Sequence, residues 1–147
     1  KRLHVVGSDT VDKSFFDKKL NKENIIVYGH VPQIKLNNII NMCHVFVLPS
    51  IQEGLAIVTL QALSSGCPII VSEHTGVSEI VRENNCGIVV PIRNSQSILQ
   101  SLEEVIDDRK KLNSFSENAK KFALNNTWDA YVDKLDVIVN DSLKNKI

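Results

Sequence analysis

Apolar residues fall along the chain in two alternating rhythms. Short, nearly continuous runs come first: LHVVG (3–7), IIVYG (25–29), HVFVLP (44–49), PIIVS (68–72) and GIVVP (87–91). Rich in β-branched residues, they read as parallel strands covered on both faces. Between them lie DKSFFDKKL, QIKLNNIINMC, GLAIVTLQALSSG and VSEIVREN, with room for one helix per crossover. This alternation predicts an α/β fold, a doubly wound, mostly parallel, Rossmann-like sheet with helices on both faces. Beyond Pro91 the strands stop and helices take over. Asn94 can cap a helix carrying Ile98, Leu102, Val105 and Ile106, and Leu112, Phe115, Ala119 and Phe122 make a second stripe. Thr127 can cap a third helix, with Trp128, Val132, Leu135 and Val139 in line. That last stripe suits either docking to a neighbouring domain or packing on the chain's own sheet.

In open α/β sheets, ligands bind at the carboxyl ends of the strands. The segments there are polar and punctuated by glycine: GSDT, GHVPQ, PSIQEG and SEHTGVSE. Together they predict a cleft, and PSIQEG is the most informative of them. A helix starting near Gly54 or Leu55 would offer unpaired N–H groups and a positive dipole end to a phosphate. Gly54 would let the backbone approach closely, with no Cβ in the way. Glu53 would repel a phosphate, and is better placed to accept hydrogen bonds from hydroxyls on the phosphate's carrier. Gln61 lies eight residues on, about 12 Å along the axis of a helix. That span suits a nucleotide-sugar, with hydroxyls at both ends and a diphosphate between them. A plainer reading fits the same residues: Glu53 as a charge favoured by the helix dipole, Gln61 as a solvated helix residue.

Composition narrows the field. The 147 residues suffice for one well-buried core, and 43% apolar with 23% charged residues is a globular profile. Seventeen basic residues balance seventeen acidic ones, which argues against a dedicated nucleic-acid binder. No apolar run spans a bilayer and no signal-peptide pattern opens the chain, so the expected location is the cytoplasm. The lysine pairs 110–111 and 120–121 read as solvated helix faces, with peripheral contact at the inner membrane face a lesser reading. The three cysteines, Cys43, Cys67 and Cys86, form no C-x-x-C pair and read as reduced core thiols. The sequons at Asn125 and Asn140 are taken as chance. His4 and His44 fall in strand patterns and read as structural; His30 and His74 lie on ligand-edge loops and could touch a phosphate or sugar. No G-x-S-x-G elbow, Walker loop or G-x-G-x-x-G is present, which weighs against a serine hydrolase, a mononucleotide hydrolase and an NAD enzyme.

The order of motifs carries a resemblance. Pro49-Ser50, Glu53, Gly66-Cys67-Pro68, Thr75-Gly76 and Glu79-Ile80-Val81 follow one another as in the donor-binding half of retaining GT-B glycosyltransferases, the group 1 glycosyl transferases. LHVVG and VYGHVP fall where that family has its nucleotide-side loops, and NNTWDAYVDKL is similar to its closing helix. The resemblance implies a nucleotide-sugar-binding domain over residues 1–147, the C-terminal half of a GT-B fold. Glu53 would be the catalytic-site carboxylate touching the hydroxyls of the transferred sugar. Backbone N–H groups from Gly54 and Leu55 through Ala56, Ile57 and Val58 would hold the sugar and the diphosphate. His30 and Val31 would lie against the base, Ser8 near the phosphates, and Gln61 where the family has a ribose-binding glutamate. The donor would be a nucleoside diphosphate sugar, with no cofactor and no metal. A saccharide or lipid-linked acceptor would bind a further domain.

Two departures stand out. An amide at Gln61 offers one acceptor oxygen where a carboxylate offers two with charge assistance. The family's arginine and lysine, which neutralise the diphosphate, precede the strand LHVVG and have no counterpart in Lys1 and Arg2. The domain is therefore expected to be incomplete at its N-terminus and to lack the acceptor-binding domain. The strand that carries the basic pair would lie in mid-sheet, so the sheet must close up, leave a gap or borrow a strand. Two readings of other classes stay open: a non-catalytic α/β module that binds a nucleotide or a partner, and a fragment of a GT-B-type sugar-nucleotide epimerase.

Overall fold

The computed structural model describes residues 1–7 and 22–144, which fall into two compact units, 1–43 and 44–147. In the first unit, β1 (Leu3–Val6) pairs in parallel with β2 (Ile25–Gly29), and α1 (Gln33–Asn41) follows Pro32. His4 has the structural role expected of it: its Nδ1 is 3.0 Å from the Tyr28 hydroxyl, and the two rings stack at 5.8 Å. Leu3, Ile26 and Val27 remain exposed. Burial on both faces was expected of these runs; in the two-stranded sheet of the described residues, both strands are edges. The helix expected over DKSFFDKKL lies outside the described residues.

The second unit is a three-stranded parallel sheet, order β3-β4-β5, from Phe46–Leu48, Ile69–Ser72 and Gly87–Val90. Its helices are α2 (Ile57–Ser64) and α3 (Ser78–Asn84) in the two crossovers, then α4 (Ser95–Asp107), α5 (Arg109–Asn125) and α6 (Trp128–Lys144). With strand order β3-β4-β5 and the right-handed rule for parallel crossovers, α2 and α3 share one face, which leaves the other to α4. There Val105, Leu112 and Phe115 pack together against Val45 and Ile88. Every residue of β4 is buried. The strand expected over 44–49 is shorter than its apolar run, and His44 is an exposed residue ahead of it rather than part of it.

Helix α5 closes the amino edge of this sheet. Ser116 Oγ donates to the Gly66 carbonyl at 2.7 Å and Asn118 Nδ2 to that of Asn85 at 2.9 Å, on the turns leading into β4 and β5. The carboxyl edge is left for the loops. Asn94 caps α4 by accepting from Ser97 N at 2.9 Å, and Thr127 caps α6 by accepting from Ala130 N at 3.2 Å, both as the sequence predicts. The stripe on α6 does not pack on the sheet: Trp128 is 82% exposed, and Val132, Leu135 and Val139 are exposed with it. The described strands form two sheets, β1-β2 in the first unit and β3-β4-β5 in the second.

Two measurements test this packing. A Cβ at Gly87 would lie 1.9 Å from the Ile69 carbonyl oxygen, so Gly87→Ala must part β4 from β5. The expected loss is about 3 kcal/mol, read from the urea midpoint. Burial pushes the Cys86 thiol up from 9.0 to about 11. The folded protein thus keeps a proton that the unfolded chain has released, and stability falls as pH rises from 9 to 11. Cys86→Ala should flatten that part of the pH–stability curve.

Candidate functional site

The site starts where β4 ends. Ser72 is buried, and its hydroxyl donates to the carbonyl of Ser50, tying the exit of β4 to the exit of β3. The chain then turns. Thr75 Oγ1 donates to the Ser72 carbonyl at 2.7 Å and Ser78 Oγ to that of Glu73 at 3.1 Å. Glu73 N donates to the Val90 carbonyl at 3.0 Å, so this turn is held to β5 as well.

The turn in turn holds Glu53. Glu53 N donates to the His74 carbonyl at 3.1 Å, and Gly76 N is shared between the carbonyls of Glu53 (3.1 Å) and Gly54 (3.0 Å). Glu53 and Thr75 form an isolated parallel bridge. Glu53 is thereby held in the bridge and the chain bends at Gly54, which accounts for a departure from expectation: α2 begins at Ile57, with Ala56 as N-cap, rather than at Gly54 or Leu55. Only the residues from Ile57 onward contribute helical rise toward Gln61, about 6 Å. The single helix of about 12 Å from Glu53 to Gln61 is not formed.

At the head of α2, Thr59 donates to the Ala56 carbonyl through N (2.9 Å) and Oγ1 (2.6 Å). Among the described residues nothing accepts from the N–H groups of Leu55, Ala56, Ile57 and Val58. These are the orphan donors of a helix start, with the positive end of the dipole behind them. Glu53 and Gly54 are exposed, as are Leu55 and Ile57. Gln61 is half-buried on the second turn, and no described group bonds its side-chain amide. The surface therefore combines one carboxylate, a row of free donors and apolar contact area.

The structure brings Glu53, Gly54 and the start of α2 together with residues 74–76. His30, exposed, and Val31, buried, follow β2 in the other unit, and Ser8 lies outside the described residues. His74 is exposed on the turn that grips Glu53. A cavity of 260 Å³ opens farther along the carboxyl edge, between Pro49, Ser72, Val90 and the first turn of α4. None of the residues from Glu53 to Gln61 lines it, so the open loop surface is the better candidate. Sequence reasoning placed SEHTGVSE on the ligand edge and used Thr75-Gly76 as a motif, but gave Ser72, Thr75 and Gly76 no individual role. The small-residue turn after a fully apolar strand was the available signal.

The family described as Glycosyl transferases group 1 matches residues 2–122. The chain belongs to this family. As a group 1 glycosyl transferase chain, it is 34% identical over 110 residues to the UDP-Gal:alpha-D-GlcNAc-diphosphoundecaprenol alpha-1,3-galactosyltransferase of Escherichia coli. That alignment covers 74% of this chain and 28% of the relative. Among the first curated relatives matched, the aligned region spans 28% to 36% of their length. Sucrose-phosphate synthase from Thermosynechococcus elongatus superposes with a TM-score of 0.83 at 17% identity, covering 98% of this chain and 39% of its own. An Anabaena protein crystallised with UDP superposes at 0.75 with 18% identity, covering 96% of this chain and 40% of its own. These structural neighbours are GT-B glycosyltransferases, and they establish the fold. Among the described residues, no three His, Cys, Asp or Glu gather in metal-binding geometry. None of the described helices is long and apolar enough to cross a membrane.

Because Glu53 is exposed and no described group bonds its side chain, Glu53→Ala should leave stability within about 0.5 kcal/mol of wild type. A thermal melt checks this, and makes any loss of ligand binding in that variant a local effect.

Proposed function

We propose that residues 1–147 form the donor-binding domain of a retaining GT-B hexosyltransferase. The intact enzyme takes a hexose from a nucleoside diphosphate sugar and gives it to a saccharide or lipid-linked acceptor, held by a separate N-terminal domain. One observation carries this reading: a carboxylate fixed through its backbone immediately ahead of a helix whose first donors are free. The E. coli relative's UDP-Gal donor and the UDP bound by the Anabaena neighbour support it.

In this reading the N–H groups from Gly54 and Leu55 through Val58 bind the diphosphate and the sugar. Fixed dipoles of this kind stabilise charge developing on a leaving group without having to reorganise. Glu53 accepts hydrogen bonds from sugar hydroxyls and orients the ring; a lone carboxylate is not the acid–nucleophile pair of a hydrolase. Gln61 bonds the ribose, and His30 and Val31 lie along the base, with Ser8 near the phosphates. A basic pair outside this sequence completes neutralisation of the diphosphate, and no metal takes part. The exposed apolar stripe of α6 is the surface offered to the neighbouring domain. The enzyme works in the cytoplasm, at the inner face of the membrane when its acceptor is lipid-linked.

Calorimetric titration of the intact protein with UDP, GDP and UDP-galactose tests this. One nucleotide should be preferred, and the sugar's contribution should vanish in Glu53→Ala. Gln61→Glu should tighten UDP about tenfold, the equivalent of one charge-assisted hydrogen bond. EDTA should change neither result. Binding of nucleotide with no sugar contribution would favour the non-catalytic module, for which Gln61 is the motivating residue.

A further inference from the structure

The two glycines that meet at this site have opposite surroundings. A Cβ on Gly54 would meet none of the described residues within 4 Å, so among them that face of the loop is open. A Cβ on Gly76 would lie 3.0 Å from the Gly54 carbonyl oxygen, 3.1 Å from its carbon and 3.3 Å from Leu55 N. All three are backbone atoms, so no side chain can swing aside; the 54–55 segment itself would have to move by a few tenths of an ångström. The Gly76 N–H is meanwhile shared by the Glu53 and Gly54 carbonyls. Gly76 thus touches the loop by hydrogen bond and by van der Waals contact at once.

We infer that Gly76, on the turn after β4, is a positioning residue that sets where Glu53 and the Leu55–Val58 donors stand, and so governs recognition of the donor's sugar. This rests on the donor-site reading above and extends it to a residue outside the loop that would meet the ligand. The turn has few ways to yield. Thr75 is buried and bonded to the Ser72 carbonyl, Ser72 is bonded to Ser50, and Val77 and Ser78 are buried behind it. A methyl group at position 76 therefore moves the loop, not the turn. Glu53 has no described side-chain partner, so displaced backbone means a displaced carboxylate.

The test is Gly76→Ala in the intact protein, titrated with UDP and with UDP-galactose beside wild type. The ratio of the two affinities isolates the sugar's contribution. It should fall about tenfold, as expected for a sub-ångström misplacement of a recognition group, with the thermal midpoint retained. Amide resonances of Gly54 and Leu55 should shift in the absence of ligand. An unchanged ratio, or an equal loss for both ligands, would overturn the inference. Should Gly76→Ala not fold, Thr75→Val and Thr75→Ser decide. Valine, which lacks the Oγ1 bond, should lower the ratio and serine should restore it; equal behaviour of the two would overturn the proposal. Failure of the wild type to bind either ligand would remove the donor-site reading itself. The sugar-recognition role of Gly76 would fall with it, and the amide shifts would report only the mechanical contact.

Discussion

Everything at the site depends on the burial of β4. Its four residues, Ile69–Ser72, are buried and hydrogen-bonded to a neighbour on each edge. A strand in that position has no solvent to satisfy its backbone, so it is fixed by the full parallel ladder. Ser72 is the residue at which the apolar core becomes polar. Its hydroxyl binds the Ser50 carbonyl and its own carbonyl accepts from Thr75, so rigidity passes from the core to both loops of the carboxyl edge. The amino edge is closed by α5 through Ser116 and Asn118. One end of the sheet is thus spent on stability and the other is free for ligand.

The strands were legible because parallel, doubly covered strands leave a simple trace. IIVYG, PIIVS and GIVVP became β2, β4 and β5 with at most one residue lost from either end. The caps at Asn94 and Thr127 were legible for a similar reason, since a short polar side chain ahead of an amphipathic run has one favoured use. His44 and the run 44–49 were less so. Val45 is apolar because it packs under α4 and α5, not because it belongs to the strand. Apolar character reports burial; ladder hydrogen bonds decide where a strand begins.

At the site, the residue types were legible and their geometry was not. Glu53 and the helix after it could be read from PSIQEG, but the start of α2 could not. The run from Leu55 onward favours an early start, whereas the bridge to Thr75 holds Glu53 and the Gly76 N–H holds the carbonyls of Glu53 and Gly54, so a tertiary interaction overrides the local one. The stripe on α6 shows the same limit from the other side. Its period predicted a helix, and it is one, but periodicity does not name the surface it faces. No described residue beyond Ala119 is buried, and the family match ends at residue 122. Helix α6 thus lies outside the core and beyond the stretch that the family pattern matches, and its exposed apolar area is of the kind that marks association surfaces.

The placement of Glu53 has a consequence for how such a site can be selective. A carboxylate that recognises hydroxyls gains most when it is already in position, because each rotor frozen on binding costs affinity. Glu53 has no described side-chain partner, so no neighbouring side chain supplies that order. What is fixed is the backbone on either side of it, through Glu53 N, the Glu53 carbonyl and the Gly54 carbonyl. An exposed side chain on a pinned backbone keeps its carboxylate solvated, which would limit repulsion of the diphosphate proposed to bind beside it. It still confines the carboxylate to the few rotamers its Cα allows. The same pinning holds the free donors of α2 at a set offset from Glu53, since only Gly54, Leu55 and Ala56 separate the bridge from the helix. On the proposed reading, selectivity for a ligand with charge at one end and hydroxyls at the other needs both the Glu53 carboxylate and the fixed spacing between its backbone and the donors of α2.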